Sequence, residues 1–276
     1  MAGDGSSELK YLEFFIESDP GVRIFVESYG NESHPTVLFS NPLTATSEMW
    51  KEVVHNLPFG WRYLCYDPRG TGRSTAPADS YHIEALGRDV IRIMDTIGIN
   101  ETIFCGVSLG GLTGIWLGAH WPSRLRGLIL ANTAANFPPK AMWDERADGA
   151  LNAGMQQFVE PTLRRWFSSR YCDSRAPGVR LVEQMVAAME PTAYAGLCRV
   201  LGTTNLLSQL PLIMCPVKII SGSLDESTPP VRAIELLEGL PNADLVTLTA
   251  NHVPAIEQPV EFAQVIERFL QDFKGR

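Results

Sequence analysis

CGVSLGG, Cys105 to Gly111, is the stretch on which the reading of this chain turns. A β-rich run enters it from Thr102, Ser108 stands between Gly106 and Gly110, and a small-residue helical pattern leaves it from Leu109 to His120. Glycines at both flanks allow a strained strand-to-helix turn that lifts a serine hydroxyl clear of a sheet. The string alone arises by chance roughly one time in ten in a chain of this size. A plainer role for Ser108 is capping of the helix that begins at Leu109.

Outward from this turn, short β-rich runs alternate with longer helical patterns, the signature of parallel strands joined by crossover helices. Tyr11–Ile16 and Val22–Ser28 are close enough for an antiparallel hairpin. Thr36–Ser40, Arg62–Tyr66, Thr102–Cys105 and Leu125–Leu130 read as further strands, with helices expected at Ser47–Asn56 and Ile83–Ile97. From about Ala135 to Leu210 the rhythm breaks into helical patterns separated by prolines, which predicts a helical insertion at 135–210 over a core made of 1–134 and 211–276. The βα rhythm then resumes with Val217–Ser221, a helix near Val231–Leu240, Leu245–Leu248 and a last helix, Val260–Phe273.

The 276 residues are 45% hydrophobic, enough for a sizeable core in one α/β body. A net charge of −8 argues against a nucleic-acid or anionic-membrane partner, because both require a basic footprint. No apolar run approaches the length of a membrane span, and Met1 to Leu9 lack the basic and apolar regions of a secretory leader. Cys65, Cys105, Cys172, Cys198 and Cys215 are odd in number and form no CxxC pair, so they are expected as buried thiols in a reducing, cytoplasmic setting.

A serine hydroxyl needs a base, and the base an orienting acid. His34, His55, His82 and His120 fall in surface or capping positions, whereas His252 directly follows the last strand. Asp225 directly follows the preceding one. In a parallel sheet such loops open at one carboxyl edge, so Ser108, Asp225 and His252 are expected there together. Asp67, in the turn-rich DPRGTG, is expected to stabilise that turn, Asp95 to sit on a solvated helix face, and Glu226 is a neighbouring rival of Asp225.

GVSLG, DPRGTGRS, SGSLDESTPP and NHVPAIEQP stand in the order found in the α/β-hydrolase superfamily, which the chain resembles over almost its whole length. It looks most like the 3-oxoadipate enol-lactonase group, through SNPLTATSEMW and the insertion segments MWDERADGALNAGM, LRRWF and EPTAYAGLCRVL. The resemblance implies an α/β-hydrolase fold: a mostly parallel eight-stranded sheet flanked by helices, with a helical cap. It implies serine hydrolysis of a small ester or lactone with no metal or cofactor, His252 acting as base and Asp225 orienting it. The oxyanion donors would be the amides of Leu109 and of Leu43, with Asn41-Pro42 standing where many relatives carry His-Gly. Trp143, Arg165 and Trp166 match the insertion segments and would contact substrate, the arginine suiting a carboxylate; packing of the tryptophans and solvation of the arginine are the alternatives. Carbon–carbon hydrolysis of a β-diketone, a ligand receptor and a cofactor-free oxygenase remain open on this fold. A haloalkane dehalogenase is disfavoured, because its nucleophile is an aspartate.

Overall fold

The computed structural model describes residues 10–273. The segment Met1 to Leu9, read as free of a leader, lies outside the described residues. Eight strands form one sheet: β1 (Tyr11–Asp19), β2 (Val22–Tyr29), β3 (Thr36–Ser40), β4 (Arg62–Tyr66), β5 (Thr102–Val107), β6 (Leu125–Ala131), β7 (Val217–Gly222) and β8 (Ala243–Leu248). Their order is β1-β2-β4-β3-β5-β6-β7-β8. β1 pairs antiparallel with β2, as the short spacing predicts, and β2 with β4. Every other pairing is parallel.

Burial explains which strands are easily read. β3, β4 and β5 are buried at every position, so their runs are largely apolar, and the one charged residue among them, Arg62 of β4, donates to the Ser28 hydroxyl at 3.0 Å. Edge strand β8 is only partly covered, so its apolar signal starts late, at Leu245, although pairing with β7 begins at Ala243.

Between the strands lie α1 (Lys51–His55), α2 (Ile83–Thr96), α3 (Leu109–His120), α4 (Lys140–Ala153), α5 (Val159–Trp166), α6 (Ser169–Asp173), α7 (Pro177–Ala188), α8 (Pro191–Thr203), α9 (Pro230–Gly239), α10 (Pro254–Glu257) and α11 (Pro259–Gln271). The helix expected over Ser47–Asn56 is split into a 3₁₀ turn, Ser47–Trp50, and α1. Asp67 Oδ1 accepts the Ser47 amide at 2.6 Å at the start of that turn. Helix α10 escapes sequence reading because four residues between prolines show no period.

Helices α4 to α8 follow one another between β6 and β7, and α4 packs along α8. The two ends of this excursion are clasped. Leu206 N–H donates to Ala135 O at 2.8 Å, Asn136 and Asn205 form an antiparallel bridge, and Arg232 of α9 donates to Asn136 O at 2.5 Å.

The DPRGTG turn is pinned by charge. The Arg69 side chain is fully buried and bidentate on Asp89 of α2, at 2.7 and 2.6 Å, with a further bond of 2.8 Å to Asp19. Asp67 accepts the amides of Ser47 and Arg73, the turn-stabilising role expected of it. All five cysteines are free thiols, but only Cys65, Cys105 and Cys198 are buried. Cys172 and Cys215 are half-buried. Among the described residues no helix is long and apolar enough to cross a membrane.

Candidate active site

Ser108 stands at the turn between β5 and α3 with φ 55° and ψ −113°, a conformation that L-residues rarely adopt. The flanking glycines are a steric requirement of this turn. A Cβ on Gly106 would lie 2.2 Å from Gly110 O, and one on Gly110 would lie 2.3 Å from Ser40 O. The Ser108 side chain makes no capping bond to α3, so the plainer reading of this serine fails.

Asp225 and His252 meet beyond the ends of β7 and β8. Asp225 Oδ2 bonds His252 Nδ1 at 2.8 Å, and both side chains are buried. The same carboxylate accepts the Ser227 amide at 2.8 Å, the Thr228 amide at 3.1 Å and the Thr228 hydroxyl at 2.6 Å. Burial alone would raise the Asp225 carboxyl, but the facing imidazole and the Thr228 bonds outweigh it and hold the group below the usual carboxylate range. With the carboxylate accepting at Nδ1, the neutral imidazole carries its proton there, which leaves Nε2 an acceptor. No hydrogen bond joins Ser108 Oγ to His252 among the described residues; this contact is often loose until substrate arrives.

The His252 loop is positioned from β6. Asn132, at φ 42°, donates through Nδ2 to Asn251 O at 2.7 Å and His252 O at 2.8 Å, while its Oδ1 accepts the Gly222 amide at 2.9 Å. Sequence reasoning missed Asn132 and Thr228, although each follows a strand at the same sheet edge. The other histidines fall where they were expected. His82 caps α2 by accepting the Ala85 amide, His120 stacks on Trp116, and His34 and His55 lie at the surface or partly covered. Asp95 is exposed and pairs with Arg124, and Glu226 is exposed.

The loop after β3 is fixed by Asn41, whose amide donates to Ala45 O and Tyr66 O and accepts Trp50 Nε1–H at 2.6 Å. Asn41 is therefore fully committed within the protein. Leu43 N–H is given to no acceptor among the described residues. Leu109 is the first residue of α3, where helix geometry leaves the amide without an intrahelical partner.

A cavity of about 150 Å³ is lined by Ser108, His252, Leu43, Trp143, Arg165 and Trp166, together with Pro42, Thr44, Arg146 and Glu226. Trp166 lies with its ring 6.3 Å from that of His252, and Trp143 Nε1–H donates to Phe137 O at 2.7 Å. Neither Arg165 nor Arg146 has a carboxylate partner among the described residues. Burial, then the Arg146 charge, brings the Arg165 guanidinium down to about 10. Arg146 is held by the Tyr194 hydroxyl at 3.0 Å and lies 5.0 Å from the centre of the Trp143 ring. It stands three residues after Trp143 on α4, so the shared helix face was the signal that would have found it.

A family model of the alpha/beta hydrolase fold matches residues 35–186, and the chain belongs to that family. Within it, the chain is 32% identical over 246 residues to 3-oxoadipate enol-lactonase 2 of Acinetobacter baylyi, a match covering 89% of this chain and 92% of that protein. The crystal structure of the enol-lactonase from Burkholderia xenovorans superposes with a TM-score of 0.90 at 32% identity, covering 93% of this chain and 99% of that one. A thermophilic esterase from Thermogutta terrifontis shares the fold, with a TM-score of 0.86 at 22% identity and coverage of 95% and 98%.

Proposed function

We propose that this protein is a cofactor-independent serine hydrolase that opens a small lactone, or cleaves a small ester, bearing a carboxylate. The observation that carries this reading is the buried Asp225–His252 pair, bonded through Nδ1, at a cavity whose wall also holds Ser108. The similarity to enol-lactonases supports the substrate class.

In this mechanism His252 Nε2 takes the Ser108 hydroxyl proton as Oγ attacks the carbonyl carbon, and Asp225 stabilises the resulting imidazolium. The carbonyl oxygen becomes an oxyanion that receives the Leu43 and Leu109 amides. As the C–O bond breaks, the imidazolium returns the proton to the departing oxygen, which in a lactone stays tethered to the acyl-enzyme. Water then attacks the acyl carbon, losing its proton to Nε2; the acyl carbon–Oγ bond breaks, the imidazolium returns the proton to Oγ, and Ser108 and neutral His252 are regenerated. Helices α4 to α8 serve as a cap that carries the recognition groups. Two guanidiniums with no carboxylate partner among the described residues, Arg146 and Arg165, favour a carboxylate on the substrate despite the acidic whole. Trp143 and Trp166 supply apolar walls.

Ser108→Ala in a folded protein is expected to lower kcat by roughly 10⁶-fold on esters and lactones. Undiminished turnover would sink the proposal. In a substrate panel, Arg165→Ala should raise KM for carboxylate-bearing substrates and leave their neutral isosteres unaffected. Equal effects on both would remove the carboxylate from the reading.

A further inference from the structure

Thr44 is in a conformation its residue type disfavours. Ala45 N–H donates to Pro42 O at 3.1 Å, closing a four-residue turn whose third residue, Thr44, has φ 79°. Glycine ordinarily fills such a position, and a β-branched side chain there is a strained outlier. The same residue carries a second cost. Its hydroxyl oxygen is buried without a hydrogen-bond partner among the described residues. Six buried side-chain atoms are without a partner there, and of their residues Thr44 alone lines the cavity that holds Ser108.

Two unfavourable features on one residue, beside the amide of Leu43, have a common explanation if the hydroxyl finds its acceptor during the reaction. Resting on the hydrolase reading above, we infer that Thr44 is a further catalytic residue, whose hydroxyl donates to the substrate carbonyl oxygen as negative charge develops on it. The hydroxyl keeps its proton throughout and joins the Leu43 and Leu109 amides as a third donor. The closed turn fixes the backbone that carries it, and donors held near developing charge act mainly in the transition state.

A purely structural threonine and a catalytic one predict opposite signs for the same substitution. Thr44→Val keeps the shape and removes the hydroxyl, so folding stability should hold or rise while kcat falls about 10- to 100-fold at nearly unchanged KM. Thr44→Gly relaxes the backbone and also lacks the hydroxyl, so it should show the same loss of kcat with a stable fold. Thr44→Ser should restore most of the rate. Either hydroxyl-free variant with full kcat, or a Thr44→Val protein that loses stability but keeps kcat, would overturn the assignment. Run beside Ser108→Ala, the series separates the two failures. A rate that survives loss of Ser108 removes the hydrolase reading and this inference with it, whereas a rate that survives only loss of the Thr44 hydroxyl removes the inference alone.

Discussion

Asp225 accepts four hydrogen bonds, and their balance sets the charge and the tautomer around it. Asp225→Asn keeps the shape but presents an amide donor to Nδ1, which would move the imidazole proton to Nε2 and remove the base. A loss of about 10⁴-fold in kcat is expected, with little change in KM. The pH dependence of stability follows from the depressed carboxyl. Its contribution is complete above the ordinary aspartate range and is lost as pH falls through the lower folded value. Denaturant titrations from pH 7 to 3 should therefore show a shallower acid decline in the Asn variant. A parallel decline in both proteins would contradict the linkage. The placing of Ser108, Asp225 and His252, the proposed triad, at one edge was legible because each follows a strand, and strand ends converge there. The roles of Asn132 and Thr228 were not, because they rest on contacts: Asn132 reaches carbonyls 119 and 120 positions away.

At the scale of elements, the end of α5 is bonded to the loop that bears His252. Val253 N–H donates to Trp166 O at 3.3 Å, and Glu257 of α10 takes both the Ser168 amide, at 3.1 Å, and the Ser168 hydroxyl. The end of α5 and the His252 loop therefore share a joint. Glu257→Ala should free that end of α5, speed hydrogen exchange across α5 and α6, and change kcat and KM together, as hinge and lid variants do. Exchange unchanged within α5 and α6 would show that the joint is held elsewhere. The helices themselves were legible from prolines and apolar spacing, but this joint was not. It depends on α10, a four-residue helix without a period of its own.

Across the whole molecule, the sheet order places an antiparallel hairpin at one margin and a parallel set whose carboxyl ends carry the candidate site. Alternating β and helical runs announced the parallel set. The pin between the hairpin, the DPRGTG turn and α2 was hidden, because a lone arginine in a turn looks solvated until Asp89 and Asp19 close on it. Asp89→Ala would leave the Arg69 charge buried with one exposed carboxylate, Asp19, at a cost of roughly 3–5 kcal/mol of stability. A urea midpoint within error of the parent would refute that estimate. The clasp of Leu206 on Ala135, with the Asn136–Asn205 bridge beside it, has a consequence for evolution and engineering. The excursion leaves and re-enters the body through neighbouring points, so a foreign helical segment spliced between them needs to span only a short gap. Under the proposed function, such a graft would carry selectivity as an exchangeable cassette, while the proposed triad keeps its own address at the sheet edge.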